Sequence, residues 1–329
     1  MERKIKTLPV SEENYAETMR EKVEPYLASL RKDDTFKSYD GNAIHYEMYL
    51  KDGAVGNMVV VHGFTESAEK FREMAYNFLC MDLNVFVIDN RGHGHSFRYN
   101  PEDPETVSIR HFEEYVRDLN FFLGRVVIPN GNGLPLYLYA HSMGGAIAVQ
   151  HLQTWPGVFE KAILSAPMIL AQSGPVSPQM TERIMNMFIA MGKGEKRVFI
   201  HKGYNPDYAF EDSHDTSRAR FEYYNEKRRQ NRHLQTASAS NYWVREAMKV
   251  AKKNLDPKRC AGITAKVLLF QPETDKSVVS EKEDEFIAMV PDGRLVQLPD
   301  CKHEIYASVD STVLQYLQIM EAFLFDEKD

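Results

Sequence analysis

Short apolar runs alternate with helical stretches along this chain, and this alternation restricts its possible folds more than any other feature. From about residue 57 the runs are NMVVVHG, NVFVIDN, LPLYLYAHS and KAILSAP, and a later run, KVLLFQP, begins at Lys266. Continuous apolar runs of this length are typical of strands buried on both faces of a parallel sheet. The pattern predicts an α/β fold, with a mostly parallel central sheet and helices on both faces. Further predictions are strands near 43–50 and 294–298 and helices near 279–290 and 309–325.

The series of strands is interrupted between about residues 170 and 258. This interruption is too long for a loop, and it contains helical segments such as TERIMNMFIAMG and ASNYWVREAMKVAKKN. We predict that it forms a helical cap inserted over the carboxyl edge of the sheet. The predicted organisation is a first core part over 1–169 with a helical lead-in at about 1–30, the cap over 170–258, and a second core part over 259–329.

A serine lies where one predicted strand meets the helix that follows it. The segment Tyr137–Ala148 reads YLYAHSMGGAIA, so Ser142 occupies a sharp strand-to-helix turn. Such a nucleophile elbow needs small residues two positions before and after the serine, and Ala140 and Gly144 meet this need. At the helix N-terminus, the backbone N–H of Met143 can face a developing oxyanion. We predict Ser142 as the nucleophile and Met143 as one oxyanion-hole donor; a glycine turn with an idle serine is the alternative.

The loop after the first of these strands offers the second oxyanion amide. It reads HGFT, and the Phe64 amide occupies the position from which this architecture takes its second donor. Gly63 permits the backbone conformation that aims this amide. We also expect His62 and Gly63, together with His141 beside the nucleophile, to contact substrate. A plain glycine turn after a strand is the alternative.

The candidate general base and its orienting acid come late in the chain. A serine hydroxyl attacks well only when an oriented base takes its proton, and the chain order in this architecture is Ser, then Asp or Glu, then His. Asp275 follows the strand KVLLF and is the predicted acid, while Glu273, two residues earlier, competes for the role. Of the eleven histidines, only His303 follows both Ser142 and Asp275 in a loop after a strand. We predict His303 as the base.

Two histidines in the loop DNRGHGHS raise the question of a metal site. His93 and His95 match the start of an H-x-H-x-D-H motif, but its last two positions hold Phe and Arg. The favoured interpretation is a hydrogen-bonded loop near the site, with Arg91 bound to carbonyls or to Asp89. We predict that the protein uses no metal and no cofactor.

Together, HGF, DNRGHGHS, AHSMGG, the Asp after a late strand and KHEIY resemble the α/β-hydrolase superfamily. Within it they are similar to the lysophospholipase and monoacylglycerol lipase branch, the serine aminopeptidase-like hydrolases. The resemblance covers about residues 35–325 and reaches into the cap through HDTSRARFEYY and NYWVREAMK. It implies the α/β-hydrolase fold and ester hydrolysis. The residues that it implies are the triad Ser142, Asp275 and His303 and the oxyanion amides of Phe64 and Met143.

The predicted cap contains an apolar helix. Its segment Ile184–Met191 is apolar almost all round, so it must be buried, line an apolar pocket or meet a membrane or a partner. We include Met185, Phe188 and Ile189 as candidate substrate contacts, because methionine and apolar side chains adapt to acyl chains. Packing inside the cap is the alternative.

The cap also carries an excess of positive charge. Residues 192–260 contain 16 Lys or Arg and 9 Asp or Glu, so their net charge is +7 and the rest of the chain carries −14. The densest part is Lys227–Arg232. This basic cap suggests attraction of a substrate phosphate or transient contact with an anionic membrane surface, with a solvated helix face as the alternative.

Composition restricts the remaining classes of partner. The 329 residues carry a formal net charge of −7, which argues against nucleic acid. Three scattered cysteines argue against a disulfide framework or a zinc ribbon. The sequence shows no secretory signal and no apolar run long enough for an integral membrane segment, so we expect a cytoplasmic protein. The oligomeric state is not predicted.

These observations predict a serine-dependent carboxylic ester hydrolase that acts through an acyl-enzyme. The expected substrate is a monoacyl lipid, either lysophospholipid or monoacylglycerol, or a small ester with a short-to-medium acyl chain. A serine aminopeptidase is the alternative, with Glu211, Asp212 and Asp215 as candidate ligands of a substrate amine. A non-catalytic binding module is less favoured, because no triad member is missing.

Overall fold

An eight-stranded sheet forms the centre of the computed structural model, which describes residues 5–325. The described residues form ten strands: β1 Arg31–Lys37, β2 Ala43–Tyr49, β3 Gly56–Val61, β4 Leu83–Ile88, β5 Thr106–Val107, β6 Leu136–His141, β7 Lys161–Ser165, β8 Ser238–Ala239, β9 Lys266–Pro272 and β10 Gly293–Leu298. All except β5 and β8 belong to the central sheet. Their order in the sheet is β1-β2-β4-β3-β6-β7-β9-β10, and β5 pairs with β8 separately. Strand β2 runs antiparallel to β1 and β4, and the other pairings in the sheet are parallel. The predicted α/β class is confirmed.

Helices surround this sheet. They are α1 Tyr15–Thr18, α2 Glu24–Leu30, α3 Arg72–Cys80, α4 Glu113–Phe122, α5 Ile128–Asn130, α6 Met143–Thr154, α7 Pro178–Ala190, α8 Arg218–Gln230, α9 Asn241–Lys249, α10 Ala251–Asn254, α11 Pro257–Ala261, α12 Ser280–Ile287 and α13 Asp310–Phe325. The π-helical stretches Met19–Val23 and Leu123–Val127 join α1 to α2 and α4 to α5. Short 3-10 turns occupy Ala68–Phe71, Phe210–Asp212, Arg232–Leu234 and Ile305–Ala307.

The central strands are apolar throughout because both of their faces are covered. In β3, Val59 and Val61 belong to the apolar cluster on one face of the sheet, while Met58 and Val60 belong to the cluster on the other. All four side chains are fully buried. Successive side chains of a strand point to opposite faces, so the continuous apolar run reports burial on both sides.

Strand β1 is not an apolar run like the central strands, and the sequence analysis did not predict this strand. Strand β1 (RKDDTFK) lies at the sheet edge, and Phe36 is its buried residue. The predicted lead-in helix is found over residues 15–30, directly before β1. Residues 1–4 of the predicted span lie outside the described residues.

Five helices, α7 to α11, stand between β7 and β9, where the sequence predicts the cap. Helix α9 contributes Trp243, Ala247 and Met248 to the same apolar cluster as α4 and α6. At one end of the segment, Ala171 still pairs with Val278 in an isolated antiparallel bridge. The division at residues 170 and 258 therefore stays a prediction.

A buried arginine joins helix α8 to the rest of the molecule. The Arg220 guanidinium donates to both carboxylate oxygens of Glu73 on α3, and to the carbonyl oxygens of Val10 and Ser308. Its side chain is 3% exposed, and Glu73 also accepts from the Tyr15 hydroxyl at 2.7 Å. Four separate segments are thus held by one cation.

Replacing this cation is expected to destabilise the whole protein. Arg220→Met leaves Glu73 as a buried carboxylate without its cation, which should lower the free energy of unfolding by about 3–5 kcal/mol. Arg218→Met is the matched control on the same helix, because the Arg218 side chain is 57% exposed in its pair with Glu211. That control should leave the free energy of unfolding close to the wild-type value. Chemical denaturation measures both values, and equal losses would contradict the anchoring role.

Candidate active site

Ser142 sits on a strained turn between β6 and α6. Its backbone has φ 52° and ψ −117°, and the residue is 9% exposed. The turn is possible because the next residues lack side chains: a Cβ on Gly144 would lie 2.2 Å from the carbonyl oxygen of Val61, and one on Gly145 would lie 2.4 Å from the Pro167 Cβ. The predicted elbow is present, and Ala140 fits where a glycine is usual.

The structure brings Ser142, His303 and Asp275 into one hydrogen-bonded row. The Ser142 Oγ lies 2.8 Å from His303 Nε2, and His303 Nδ1 lies 2.7 Å from Asp275 Oδ2. The other oxygen of Asp275 accepts from the amides of Ser277 and Val278, at 2.7 and 3.1 Å. Burial alone would raise the pKa of Asp275, but the His303 hydrogen bond and charge and the two amides lower it below its usual value. The carboxylate is therefore ionised and fixed against the imidazole.

The competitor Glu273 occupies a different position. It is exposed, and its Oε2 accepts from the amide of Asp300 at 3.0 Å. Its hydrogen bond thus serves the turn before His303, while Asp275 contacts the imidazole itself.

Two backbone amides near the serine are without acceptors. Among residues 5–325, the N–H groups of Phe64 and Met143 donate to no other group of the protein. Met143 is the first residue of α6, where a backbone N–H has no partner within the helix. A Cβ on Gly63 would lie 3.1 Å from the Ser142 Cβ, so the Phe64 loop passes directly beside the serine.

A buried glutamate that the sequence analysis missed fixes this loop. Glu66 Oε2 accepts from the Gly63 amide at 2.5 Å, and its Oε1 accepts from the Tyr306 hydroxyl. Burial would raise the pKa of Glu66, but the charge that His141 gains only near pH 4, the Lys70 ammonium and the Tyr306 hydrogen bond lower it. A Glu three residues after His-Gly was the available signal, but only the fold shows that it turns back onto the loop.

Two residues predicted to contact substrate lie behind the reactive groups instead. His62 is fully buried, with Nδ1 against the Gly63 carbonyl and Nε2 accepting from the Asn90 amide. His141 is 1% exposed, and its ring packs 4.9 Å from that of His303. Burial lowers the pKa of His141 to about 4, so this ring is neutral. The geometry gives both histidines a supporting position.

The apolar helix of the predicted cap is only partly buried. Met185 is 4% exposed and packs in the interior, whereas Phe188 and Ile189 are half-buried on α7. The Phe188 ring lies 6.0 Å from that of Phe199. None of the three residues borders the large cavity described next, so their contact with substrate stays a prediction.

A cavity of about 640 Å³ lies beside the reactive residues. Phe64, Thr65 and His214 form its wall on that side, and the His214 ring packs 5.8 Å from His303. The Phe64 ring also stacks on Trp243 of α9 at a centroid distance of 4.1 Å. The loop that contains Phe64, called the oxyanion loop below because Phe64 is a predicted oxyanion donor, therefore contacts both the cavity and helix α9.

The loop after β4 supports the site through Asp89. The carboxylate accepts from the amides of Ala68 and His95, at 2.7 and 2.9 Å, and contacts His45 Nδ1 at 2.7 Å. The predicted hydrogen-bonded loop is thus present, but the predicted partners of Arg91 were wrong. Arg91 is fully buried and binds Asp118 and Asp40, because these carboxylates of α4 and of the turn after β1 enclose it.

The family is shown by comparison with known proteins. A family model described as serine aminopeptidase, S33, a hydrolase family, matches residues 53–310. The chain belongs to this family. The expectation of a hydrolase is therefore confirmed.

The curated relatives carry lipase and lysophospholipase names. A probable lysophospholipase L2 from Haemophilus influenzae is 26% identical over 81% of this chain and 83% of its own length. Lysophospholipase L2 from Escherichia coli is 40% identical over 34% of this chain and 32% of its own. Human monoglyceride lipase is 29% identical over 46% of this chain and 48% of its own. The chain thus spans most of the first relative but half or less of the other two.

Solved structures show the same fold at low identity. A soluble variant of monoglyceride lipase from Saccharomyces cerevisiae aligns with a TM-score of 0.70, 19% identity, 89% of this chain and 94% of its own. A carboxyl esterase from Bacillus coagulans aligns with a TM-score of 0.70, 15% identity, 89% of this chain and 97% of its own. The α/β-hydrolase fold and the resemblance to the lysophospholipase and monoacylglycerol lipase branch are confirmed. Within residues 5–325, no helix has the length and apolar character needed to cross a bilayer.

His45, which contacts Asp89 beneath the oxyanion loop, makes the free energy of unfolding depend on pH. His45 lies between Asp89 and Asp33, each 2.7 Å from a ring nitrogen. Burial would lower the pKa of His45, but the two carboxylates raise it from 6.5 to about 9. Because the folded protein holds this proton more tightly than the unfolded chain does, the stabilisation is complete below about pH 6.5 and is lost as the pH rises through about 9.

We expect the wild-type free energy of unfolding to fall by roughly 3 kcal/mol between pH 6.5 and pH 9 through this group. His45→Gln removes the titrating ring, so its unfolding free energy should be lower at pH 6.5 and should fall less steeply than that of the wild type across the same range. His233→Gln is the control, because burial lowers the pKa of His233, so this group causes no loss of stability as the pH rises. Urea denaturation at several pH values measures the slopes; parallel wild-type and His45→Gln curves would exclude the assignment.

Proposed function

We propose that this hydrolase cleaves carboxylic esters of monoacyl lipids, with Ser142 as nucleophile, His303 as general base and Asp275 as its orienting acid. The observation that carries the proposal is the hydrogen-bonded row Ser142–His303–Asp275, beside two amides that have no acceptor. The lipase and lysophospholipase names of the relatives support the ester class and the monoacyl lipid.

The geometry supports an acyl-enzyme mechanism. The ester carbonyl carbon is attacked by Ser142 Oγ while His303 Nε2 takes the hydroxyl proton. The Phe64 and Met143 amides donate to the resulting oxyanion, aided by the N-terminus of α6. His303 passes its proton to the departing alcohol, and the acyl group remains on Ser142. Water deprotonated by His303 then attacks the acyl carbon, releases the fatty acid and returns the proton to Ser142.

Asp275 holds the imidazole through Nδ1, so that Nε2 faces the serine. If Asp275 is replaced by Asn, the neutral side-chain amide cannot stabilise the imidazolium that forms during attack, so the reaction slows. The two amide hydrogen bonds to Asp275 Oδ1 prevent rotation of the carboxylate away from His303.

A comparison of substitutions at Asp275 and Glu273 tests which of the two acids orients His303. Asp275→Asn should lower kcat on a p-nitrophenyl ester by up to about 10⁴-fold, the loss found for the equivalent change in a serine protease. Glu273→Gln is the matched control and should stay within about threefold of wild type, since an exposed residue outside the reacting row contributes little. Ser142→Ala serves as the blank, with a loss on the order of 10⁶. A larger loss in Glu273→Gln than in Asp275→Asn would move the acid to Glu273.

The aminopeptidase alternative receives less support from the cavity. A substrate amine needs an ionised carboxylate that has no other cation as partner, and of the three predicted acids Asp212 and Asp215 line the cavity. Glu211 is exposed and pairs with Arg218, and Asp212 lies in the exposed part of its turn. The pKa of Asp215 is raised well above its usual value by burial and by Glu304, which disfavours the ionised carboxylate that a substrate amine needs. Glu304 itself pairs with Lys70 at 2.5 Å.

We propose further that residues 170–258 act as the cap and that the cap contacts a lipid surface through apolar side chains. The basic run offers this contact less than the sequence suggests, because Lys227 pairs with Glu24 and Glu69 of the core. The exposed apolar group on the cap is instead Met187, Met191, Phe199 and Ile200, of which Phe199 is 74% and Ile200 is 70% exposed. Exposed lysines lie nearby at positions 193, 196 and 202. Apolar side chains beside lysines are typical of contact with an anionic interface.

Sedimentation with anionic phospholipid vesicles tests this contact. Phe199→Asp/Ile200→Asp should weaken vesicle binding by tenfold or more, because each wild-type side chain contributes about 1.5–3 kcal/mol when it is buried. Ile128→Asp is the matched control, since Ile128 is 57% exposed but belongs to α5, outside the cap. Hydrolysis of a water-soluble p-nitrophenyl ester should be unchanged in both variants. Equal vesicle binding by the double variant and wild type would rule out this surface.

A further inference from the structure

The wall of the 640 Å³ cavity contains several cations, and most are neutralised within the protein. Each of four wall cations has a carboxylate within ion-pair distance: Lys70 with Glu304, Arg72 with Glu24, Arg220 with Glu73, and Lys227 with Glu24. Two of these pairs, Arg220 with Glu73 and Lys227 with Glu24, join the cap segment to the core. They leave little charge for a ligand.

Arg228 differs from the other half-buried cations of the wall. Among residues 5–325, no carboxylate lies within ion-pair distance of its guanidinium; Nε and Nη2 donate to the carbonyl oxygens of Leu234 and Thr236, both at 3.1 Å. The guanidinium also lies 5.0 Å from the centre of the Tyr204 ring. Two neutral carbonyls fix its orientation without cancelling its charge, so Arg228 is a positioned cation whose counter-charge is missing from the described part of the chain.

Two hydroxyl groups near Arg228 also have no partner. Thr236 is 1% exposed and lines the cavity, yet its Oγ1 has no hydrogen-bond partner among the described residues. The Tyr224 hydroxyl, one helical turn before Arg228 on α8, lies beside the Ser67 hydroxyl, and no other group of the described residues satisfies either of them. Burial raises the pKa of Tyr224 to about 12, so the hydroxyl keeps its proton and can donate. Buried polar groups are rarely left unpaired, and here three donors share one wall.

We infer that Arg228, Thr236 and Tyr224 form a subsite for a phosphoryl group, which the substrate carries in its head group. A phosphate presents several acceptor oxygens and a negative charge, and a planar guanidinium with two hydroxyls matches both. A neutral glycerol head group would accept from the hydroxyls but would leave the Arg228 charge unbalanced. The cavity meets the oxyanion loop at Phe64 and Thr65, so an ester at Ser142 and a head group in the cavity can belong to one molecule. This inference rests on the proposed ester hydrolysis.

The test compares two monoacyl esters with the same oleoyl chain, 1-oleoylglycerol and 1-oleoylglycerol 3-phosphate, in the same detergent micelles. For Arg228→Gln, kcat/KM on the phosphate ester should fall by roughly 10- to 100-fold, the range of charge-assisted hydrogen bonds. On 1-oleoylglycerol the change should stay within about twofold, as for substitutions outside the reacting groups. Arg229→Gln is the matched control on the same helix; Arg229 is exposed and donates to the Pro206 carbonyl. It should alter neither rate.

Thr236→Val gives a second measurement that keeps the shape of the wall if Arg228→Gln folds poorly. It should lower the rate ratio between the phosphate ester and the neutral ester severalfold. Inorganic phosphate, added in a thermal unfolding assay, distinguishes a site for the free anion from a head-group site. Stabilisation by phosphate with no change of the rate ratio in either variant would overturn the head-group assignment.

Failure of the inference is separable from failure of the proposed function. If wild type hydrolyses 1-oleoylglycerol, Ser142→Ala does not, and both cavity variants keep the wild-type rate ratio, the phosphoryl subsite is wrong and the ester hydrolase stands. If wild type hydrolyses neither ester, or Ser142→Ala equals wild type, the proposed function fails and the inference fails with it.

Discussion

The reactive end of the molecule depends on the close contact between helix α6 and strand β3. Gly144 approaches the Val61 carbonyl so closely that a Cβ would lie 2.2 Å from it. This approach lets the chain reverse within one residue, at the positive φ of Ser142. The same approach sets the start of α6 beside the loop that follows β3. The strain of this single turn therefore fixes both the position of Ser142, the proposed nucleophile, and the direction of the α6 N-terminus.

The sequence predicts the elements that repeat a simple rule and misses those that depend on distant partners. The elbow, the order of Ser142, Asp275 and His303, and the parallel strands follow from local spacing and from burial on both faces. Strand β1 was missed because an exposed edge strand has no apolar pattern. Arg91 was assigned to the wrong partners because Asp40 and Asp118 come to it from other elements. Glu66 was missed for a related reason: its role comes from Tyr306, 240 residues later in the chain.

The structure changes the interpretation of the positive charge in the cap segment more than that of any other sequence feature. The excess of positive charge in the cap segment suggested an outward electrostatic surface. Much of it is directed inward instead, where Arg220 and Lys227 meet carboxylates of the core. Part of the acidic excess of the remaining chain is the complement of these cations. Electrostatics here therefore joins the two parts of the molecule, and the segment presents exposed apolar side chains at the end of α7 and after it, beside exposed lysines.

The stacking of Phe64 on Trp243 has a consequence for how such enzymes diverge. An inserted segment is often treated as an exchangeable module, which evolution or an engineer can replace to change specificity. Here Phe64, whose amide we propose as an oxyanion donor, packs against the Trp243 ring of the inserted segment, and Arg220 of that segment is part of the core's ionic network. A transplanted segment from a relative would disturb the aim of the Phe64 amide unless position 64 and its neighbours changed with it. If the proposed roles hold, a change in the inserted segment therefore alters turnover as well as specificity.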